Sequence, residues 1–224
     1  VRKEGVSRRW FIGSALSFGA AAGCRTLETA GGAFAGLGAN LALGVISDVH
    51  LDAGAGDFCK FGDATTLVHA LEWFRDQGVD GVILAGDMAD NGMRNQLQCV
   101  ADAWYRVFPN DKAPDGRRVE KLFVYGNHDL EGQRYDDFAN RYHHRPSLEA
   151  QFICASPARA WQDAFHEPYA PIWKKTVKGY QVIGSHWVDW SGVPGVEGWF
   201  VDHAKEIDET KPFFYVQHKI PRGT

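Results

Sequence analysis

The chain of 224 residues is 45% hydrophobic and 13% aromatic, enough apolar material to bury a substantial core and to exclude disorder as its default state. Its formal charge is −4, and the first 23 residues hold four bases (Arg2, Lys3, Arg8, Arg9) and one acid (Glu4), so the remainder carries 20 basic against 27 acidic groups. A body of that sign excludes a polycationic surface for gripping a nucleic-acid backbone, and an anionic substrate would have to be neutralised locally, as metal cations can do.

The N-terminal stretch Ser7-Arg8-Arg9-Trp10-Phe11-Ile12 precedes a Gly/Ala-rich apolar run from Gly13 to Gly23 that ends at Cys24. Residues 1–23 resemble a twin-arginine export signal, and the run is about half of the roughly 20 residues that a spanning helix needs. Ala21-Ala22-Gly23-Cys24 also resembles a lipoprotein cleavage box, although Ala21 stands where that box usually has Leu. The expectation is an exported protein, periplasmic or tethered to the membrane through lipidated Cys24, with simple cleavage nearby as the alternative. Residues 24–40 are rich in Gly and Ala without periodicity and read as a tether. Cys59, Cys99 and Cys154 remain beyond it, so at most one internal disulfide can form, and no Cys-x-x-Cys pair points to a zinc knuckle.

The folded domain is expected over 41–224. A strand over 41–47, a helix over 63–77 and a strand over 79–85 make a βαβ opening. Asp63 is placed to cap that helix, Leu67, Leu71 and Phe74 recur at helical spacing, and Gly78 suits its stop. A second helix over 95–108 carries Leu97, Ala101, Trp104 and Phe108 on one face and ends at Pro109. A third strand is expected over 121–125. The polar stretch 131–171 reads as helices and surface excursions. Further strands follow over 180–186 and 213–217, separated by a Gly/Trp-rich turn and a short helix around 199–207.

Three of the apolar strands end in metal-binding residue types: Val-Ile-Ser-Asp48-Val-His50, Ile-Leu-Ala-Gly86-Asp87-Met-Ala-Asp90, and Phe-Val-Tyr-Gly126-Asn127-His128-Asp129. Each alone is ordinary turn chemistry. In open α/β sheets, however, sites gather at the carboxyl ends of strands, and three such endings in order are hard to explain as turns.

These residues resemble the calcineurin-like metallophosphoesterase family, whose pattern runs Asp-x-His, Gly-Asp-x-x-Asp, Gly-Asn-His-Asp/Glu, a later His and a closing Gly-His-x-His. Tyr-Val-Gln217-His218-Lys-Ile-Pro221 looks like the later His. The closing motif does not occur by Thr224, so the domain is expected to be incomplete at its C-terminal end. The resemblance implies an α/β/β/α sandwich and two divalent or mixed-valence metal ions (Mn, Fe or Zn). Asp48 and His50 would bind the first ion, Asp87 would bridge both, and Asn127 and His218 would bind the second. A metal-bound hydroxide would attack phosphorus, His128 would stabilise or protonate the departing oxygen, and Asp129 would orient His128.

The implied activity is metal-dependent hydrolysis of phosphoesters, as a phosphodiesterase or phosphomonoesterase, on small molecules outside the cytoplasm. Alternatives are a non-catalytic surface binding protein that keeps part of the metal centre, or a nucleotide pyrophosphatase or nuclease. Purple acid phosphatases, relatives with the same core, place a Tyr three residues after the bridging Asp; here that position is Asp90, which instead suits a role bracing the loop. His143, His144 and Arg145 read as a solvated loop, and Trp187, Trp190 and Trp199 as core packing.

Overall fold

The computed structural model describes residues 40–51, 64–90, 92, 94–133, 157–187, 196–208 and 210–218. The segments read as an export signal and, up to residue 39, as a tether, together with Cys24, the expected Asp63 cap, His143, His144 and Trp190, lie outside the described residues.

Two three-stranded sheets make the centre of the molecule. In the first, β1 (Leu43–Ile46), β2 (Gly81–Ala85) and β3 (Glu120–Val124) run parallel in that order. In the second, β4 (Ile172–Val177) pairs antiparallel with β5 (Tyr180–Ser185), which pairs parallel with β6 (Phe214–Gln217). Helices α1 (Ala64–Asp76), α2 (Arg94–Val107) and α3 (Pro157–Phe165) follow in chain order, and α4 (Val196–His203) precedes β6.

Alternation along the central strands assigns the layers. Val82 and Leu84 of β2 and Phe123 of β3 join the core beneath the helices, with Leu67, Leu71 and Phe74 of α1 and Leu97, Val100 and Trp104 of α2. Ile83 of β2 and Leu122 and Val124 of β3 point the other way, against Val177, Val182 and Val216 of the second sheet. The outer face of that sheet carries Tyr215, whose ring meets Phe200 of α4 at 5.6 Å. The order is therefore helix, sheet, sheet, helix, as expected. Because β2 is buried on both faces it reads as a continuous apolar run. Gly78 adopts φ +76 just after α1 and stops it, also as expected.

β4 was not among the expected strands. Its sequence Ile-Trp-Lys-Lys-Thr-Val lacks apolar alternation, yet it pairs along its whole length with β5 through a two-residue turn, Lys178-Gly179, with φ of 47 and 79. Such a turn matches the twist of the strands it joins.

At the start of β3, remote from the strand ends that carry the motifs, Lys121 is 4% exposed. Its ammonium sits 2.5 Å from Asp111, 3.3 Å from Glu167 and 3.1 Å from the Tyr105 hydroxyl. Asp111 and Glu167 are partly exposed and keep the Trp104 indole and Lys175 as further partners, so losing the ammonium costs less than the about 3–5 kcal/mol of a fully buried pair. Lys121→Met, matched in volume, is expected to lower unfolding free energy by about 1–2 kcal/mol in urea titrations while leaving metal binding unchanged; unaltered stability would mean that water and the remaining partners already compensate these carboxylates.

Candidate metal centre

Parallel pairing brings the carboxyl ends of β1, β2 and β3 to one side of the first sheet, and the loops beyond them stay joined. Asp48 N–H donates to the Gly86 carbonyl at 3.1 Å, His50 N–H to that of Asp87 at 2.9 Å, and Leu51 N–H to that of Met88 at 2.9 Å. Within this frame Asp48, His50 and Asp87 all adopt left-handed backbone, with φ of 57, 47 and 50. Each non-glycine residue held there costs roughly 1–2 kcal/mol, and such strain collects at functional sites.

Asp87, 3% exposed, is the hub. Its Oδ1 accepts the His128 N–H at 3.0 Å, while Oδ2 lies 3.1 Å from His218 Nε2 and 3.7 Å from His50 Nε2. Burial works against its charge, but the His218 ring, the His128 N–H and the nearby imidazoles outweigh it and hold the carboxyl below its ordinary range. Burial likewise opposes charge on His218, yet the contacts with Asp87 and the Ala85 carbonyl push its pKa up to about 9. Two glycines make the close approach possible. A Cβ on Gly126 would stand 2.1 Å from Asp87 Oδ1, and one on Gly86 would stand 2.6 Å from the His218 ring. Both glycines were visible in the motifs, but only as turn formers.

The imidazoles are anchored through Nδ1. His50 Nδ1 lies 3.2 Å from the Asp90 carboxylate, and His218 Nδ1 donates to the Ala85 carbonyl at 2.9 Å. Each therefore presents Nε2 toward Asp87, the arrangement in which an outer partner orients a metal-ligating histidine. His128 Nδ1 donates to the Asp90 carbonyl at 2.7 Å, and its ring meets that of His50 edge-on at 4.6 Å. Asp90 thus braces two histidines at once.

The contact expected between Asp129 and His128 takes another form. Asp129 is fully buried, and its two oxygens accept the N–H groups of Ala89 at 2.7 Å and Gly126 at 2.8 Å. Burial pushes its pKa up to about 7, against those backbone donors. Its carboxylate ties the loop after β2 to the loop after β3, and the contact recorded at His128 Nδ1 is the Asp90 carbonyl. The physical reason is burial: a carboxylate with no access to water is satisfied first by the backbone donors that surround it.

Asp48, His50 and Asp87 offer ligand atoms that all lie within 4.8 Å of one another, and so do His50, Asp90 and His128. Asp48 is exposed, its carboxylate bonded by the Ser47 hydroxyl. Asn127 lies between Gly126, which abuts Asp87, and His128, which donates to it. Trp187 is buried, with its ring 6.1 Å from that of His218, and Trp199 stacks on His203 at 4.3 Å. The oxygen and nitrogen donor set without thiolate fits hard or borderline divalent cations, and the oriented Nε2 atoms fit the same group.

A family model of the calcineurin-like phosphoesterases matches residues 41–220, and the chain belongs to that family. It is accordingly a hydrolase of phosphoesters whose chemistry depends on metal. No curated protein matches the chain significantly.

Gly126→Ala is expected to push the Asp87 carboxylate out of place and to weaken manganese binding by about tenfold or more, with the fold kept by circular dichroism; calorimetry that finds wild-type affinity would remove the steric argument. The metal-free chain should also respond to pH. His218 is raised above its ordinary 6.5, so its stabilising charge is complete below that value and is lost as pH climbs toward about 9. Asp129, also raised, loses its contribution earlier, between its ordinary 3.8 and about 7. Thermal unfolding with chelator present is therefore expected to show a midpoint that falls between pH 7 and 9, and a flat profile there in His218→Asn.

Proposed function

We propose that this chain hydrolyses phosphoester bonds of small molecules outside the cytoplasm, using a dinuclear metal centre held in common by Asp87. The observation that carries the reading is the convergence on the Asp87 carboxylate of two Nδ1-anchored imidazoles and one backbone amide. Asp48 and His50 would hold one ion and Asn127 and His218 the other, each ion being manganese, iron or zinc. When bound, the ions supply Lewis acidity to the phosphoryl group and to an attacking water.

The protein's own residues do the rest. Left-handed backbone at Asp48, His50 and Asp87 fixes three ligand side chains before anything binds, so little ordering entropy remains to be lost. The Asp90 carbonyl holds His128 Nδ1–H, which leaves His128 Nε2 to face a substrate oxygen. An imidazole nitrogen placed there can hand a proton to the departing oxygen. Asp129 keeps the two ligand loops at fixed separation.

The twin-arginine pattern before Gly13 supports export, and Cys24 supports attachment to the membrane by a lipid. The acidic body supports small substrates over long nucleic acids.

His128→Ala is expected to keep manganese binding and to lose about 10²–10⁴ of turnover on bis(p-nitrophenyl) phosphate or p-nitrophenyl phosphate. Full turnover in that variant removes His128 from the reaction. Failure of the wild-type chain to hydrolyse either ester with manganese, iron or zinc would favour a surface protein that binds metal without catalysis.

A further inference from the structure

Among the described residues β3 is the outermost strand of the first sheet, and none of the described strands lies beside its outer edge. The groups on that side belong to alternate residues, Lys121, Phe123 and Tyr125, and their carbonyls are met from β4 and from the two residues that follow β5. Lys175 Nζ donates to the Lys121 carbonyl at 2.6 Å, the Trp173 indole N–H to the Phe123 carbonyl at 3.1 Å, and the Trp187 backbone N–H to the Tyr125 carbonyl at 2.9 Å. The last rung also runs in reverse: Tyr125 N–H donates to His186 Nδ1 at 2.9 Å. These contacts stand in for a fourth strand and protect an edge that would otherwise offer free backbone groups.

His186 can fill this place only as a neutral ring. A backbone amide can only donate, so Nδ1 must carry the lone pair. The ring is 1% exposed, stacked on Tyr169 at 4.9 Å and met edge-on by Trp161 at 4.5 Å. Burial, helped by the charge of Lys175, drives its pKa down to about 3, so the acceptor persists at any pH the protein meets. Tyr125 directly precedes Gly126, Asn127 and His128.

We propose that His186 is a positioning residue of the metal centre: by accepting the Tyr125 N–H while Trp187 donates to the Tyr125 carbonyl, it fixes the point from which the Asn127–His128 loop departs. The link to metal rests on Asn127 as a ligand, whereas the link to the loop stands alone. His186 touches neither metal nor substrate and acts through one peptide unit.

Two substitutions separate this role from plain packing. His186→Phe keeps an aromatic plug and removes the acceptor, while His186→Asn restores an acceptor oxygen near the Nδ1 position and gives up the ring. Hydrogen exchange by peptide, with manganese affinity of the full chain by calorimetry, reads both. In His186→Phe, exchange over 125–130 is expected to rise about tenfold with 81–85 unchanged, and manganese affinity to fall about tenfold. His186→Asn should stay within about threefold of wild type in both. Trp173→Phe, which removes a donor two residues upstream, should leave manganese affinity unchanged.

A folded His186→Phe with wild-type exchange over 125–130 overturns the proposal. So does a uniform rise over β2 and β3 in which His186→Asn fares no better than His186→Phe. If His186→Phe does not fold, His186→Asn decides: affinity and loop exchange within about threefold of wild type support the proposal, and a larger change overturns it. If the wild-type chain binds no manganese, the ligand assignment has failed, and the exchange measurement still decides the role of His186.

Discussion

The buried carboxylate of Asp87 is the constraint on which the rest of the centre depends. It is nearly sealed from water, yet it is held ionised, so the structure must bring donors to it from three directions. The His128 amide arrives from the loop after β3, His218 from the end of β6 and His50 from the loop after β1. Three loops and two sheets are thereby pinned to one pair of oxygens. The steric consequence appears at Gly126 and Gly86, where a methyl group would occupy space that the carboxylate and its imidazole partner already fill.

Convergence of this kind requires backbone that does not relax. The left-handed conformations at Asp48, His50 and Asp87 are each unfavourable, and they are held by a ladder of amide hydrogen bonds that continues the β1–β2 pairing past the strand ends. The two apolar layers supply the stability that this strain consumes. One lies between the helices and the first sheet, around Trp104 and Phe123; the other lies between the sheets, around Ile83 and Val182. A metal ion entering such a site would meet side chains whose backbone is already set.

Much of this was legible in the sequence, for physical reasons that differ by element. The strands that became β1, β2 and β3 stood out as short apolar runs, and the helices α1 and α2 through apolar residues at helical spacing on their buried faces. Asp48, His50, Asp87, Asn127 and His128 stood out as polar residues at the ends of apolar strands. β4 stayed hidden because Lys174 and Lys175 interrupt its apolar residues; their ammonium groups pair with Glu206, 32 residues away, and Glu167, 8 residues away, pairings that only the fold reveals. The role of Asp129 was equally hidden. An acid after Asn-His looks the same whether it faces an imidazole or backbone amides, and only burial among the N–H groups of Ala89 and Gly126 decides. His186 carried no sequence signal, since the role proposed for it comes from lying beside the outer edge of β3, a position that only the fold reveals.

The central claim is that Asp87 joins two metal ions. Manganese titrated into the metal-free protein, followed by electron paramagnetic resonance and by metal analysis after gel filtration, tests it most directly. The account predicts two equivalents bound, a spin-coupled spectrum from ions that share a ligand, and loss of that coupling in Asp87→Ala. A single equivalent, or two ions with uncoupled spectra that Asp87→Ala leaves unchanged, would contradict it.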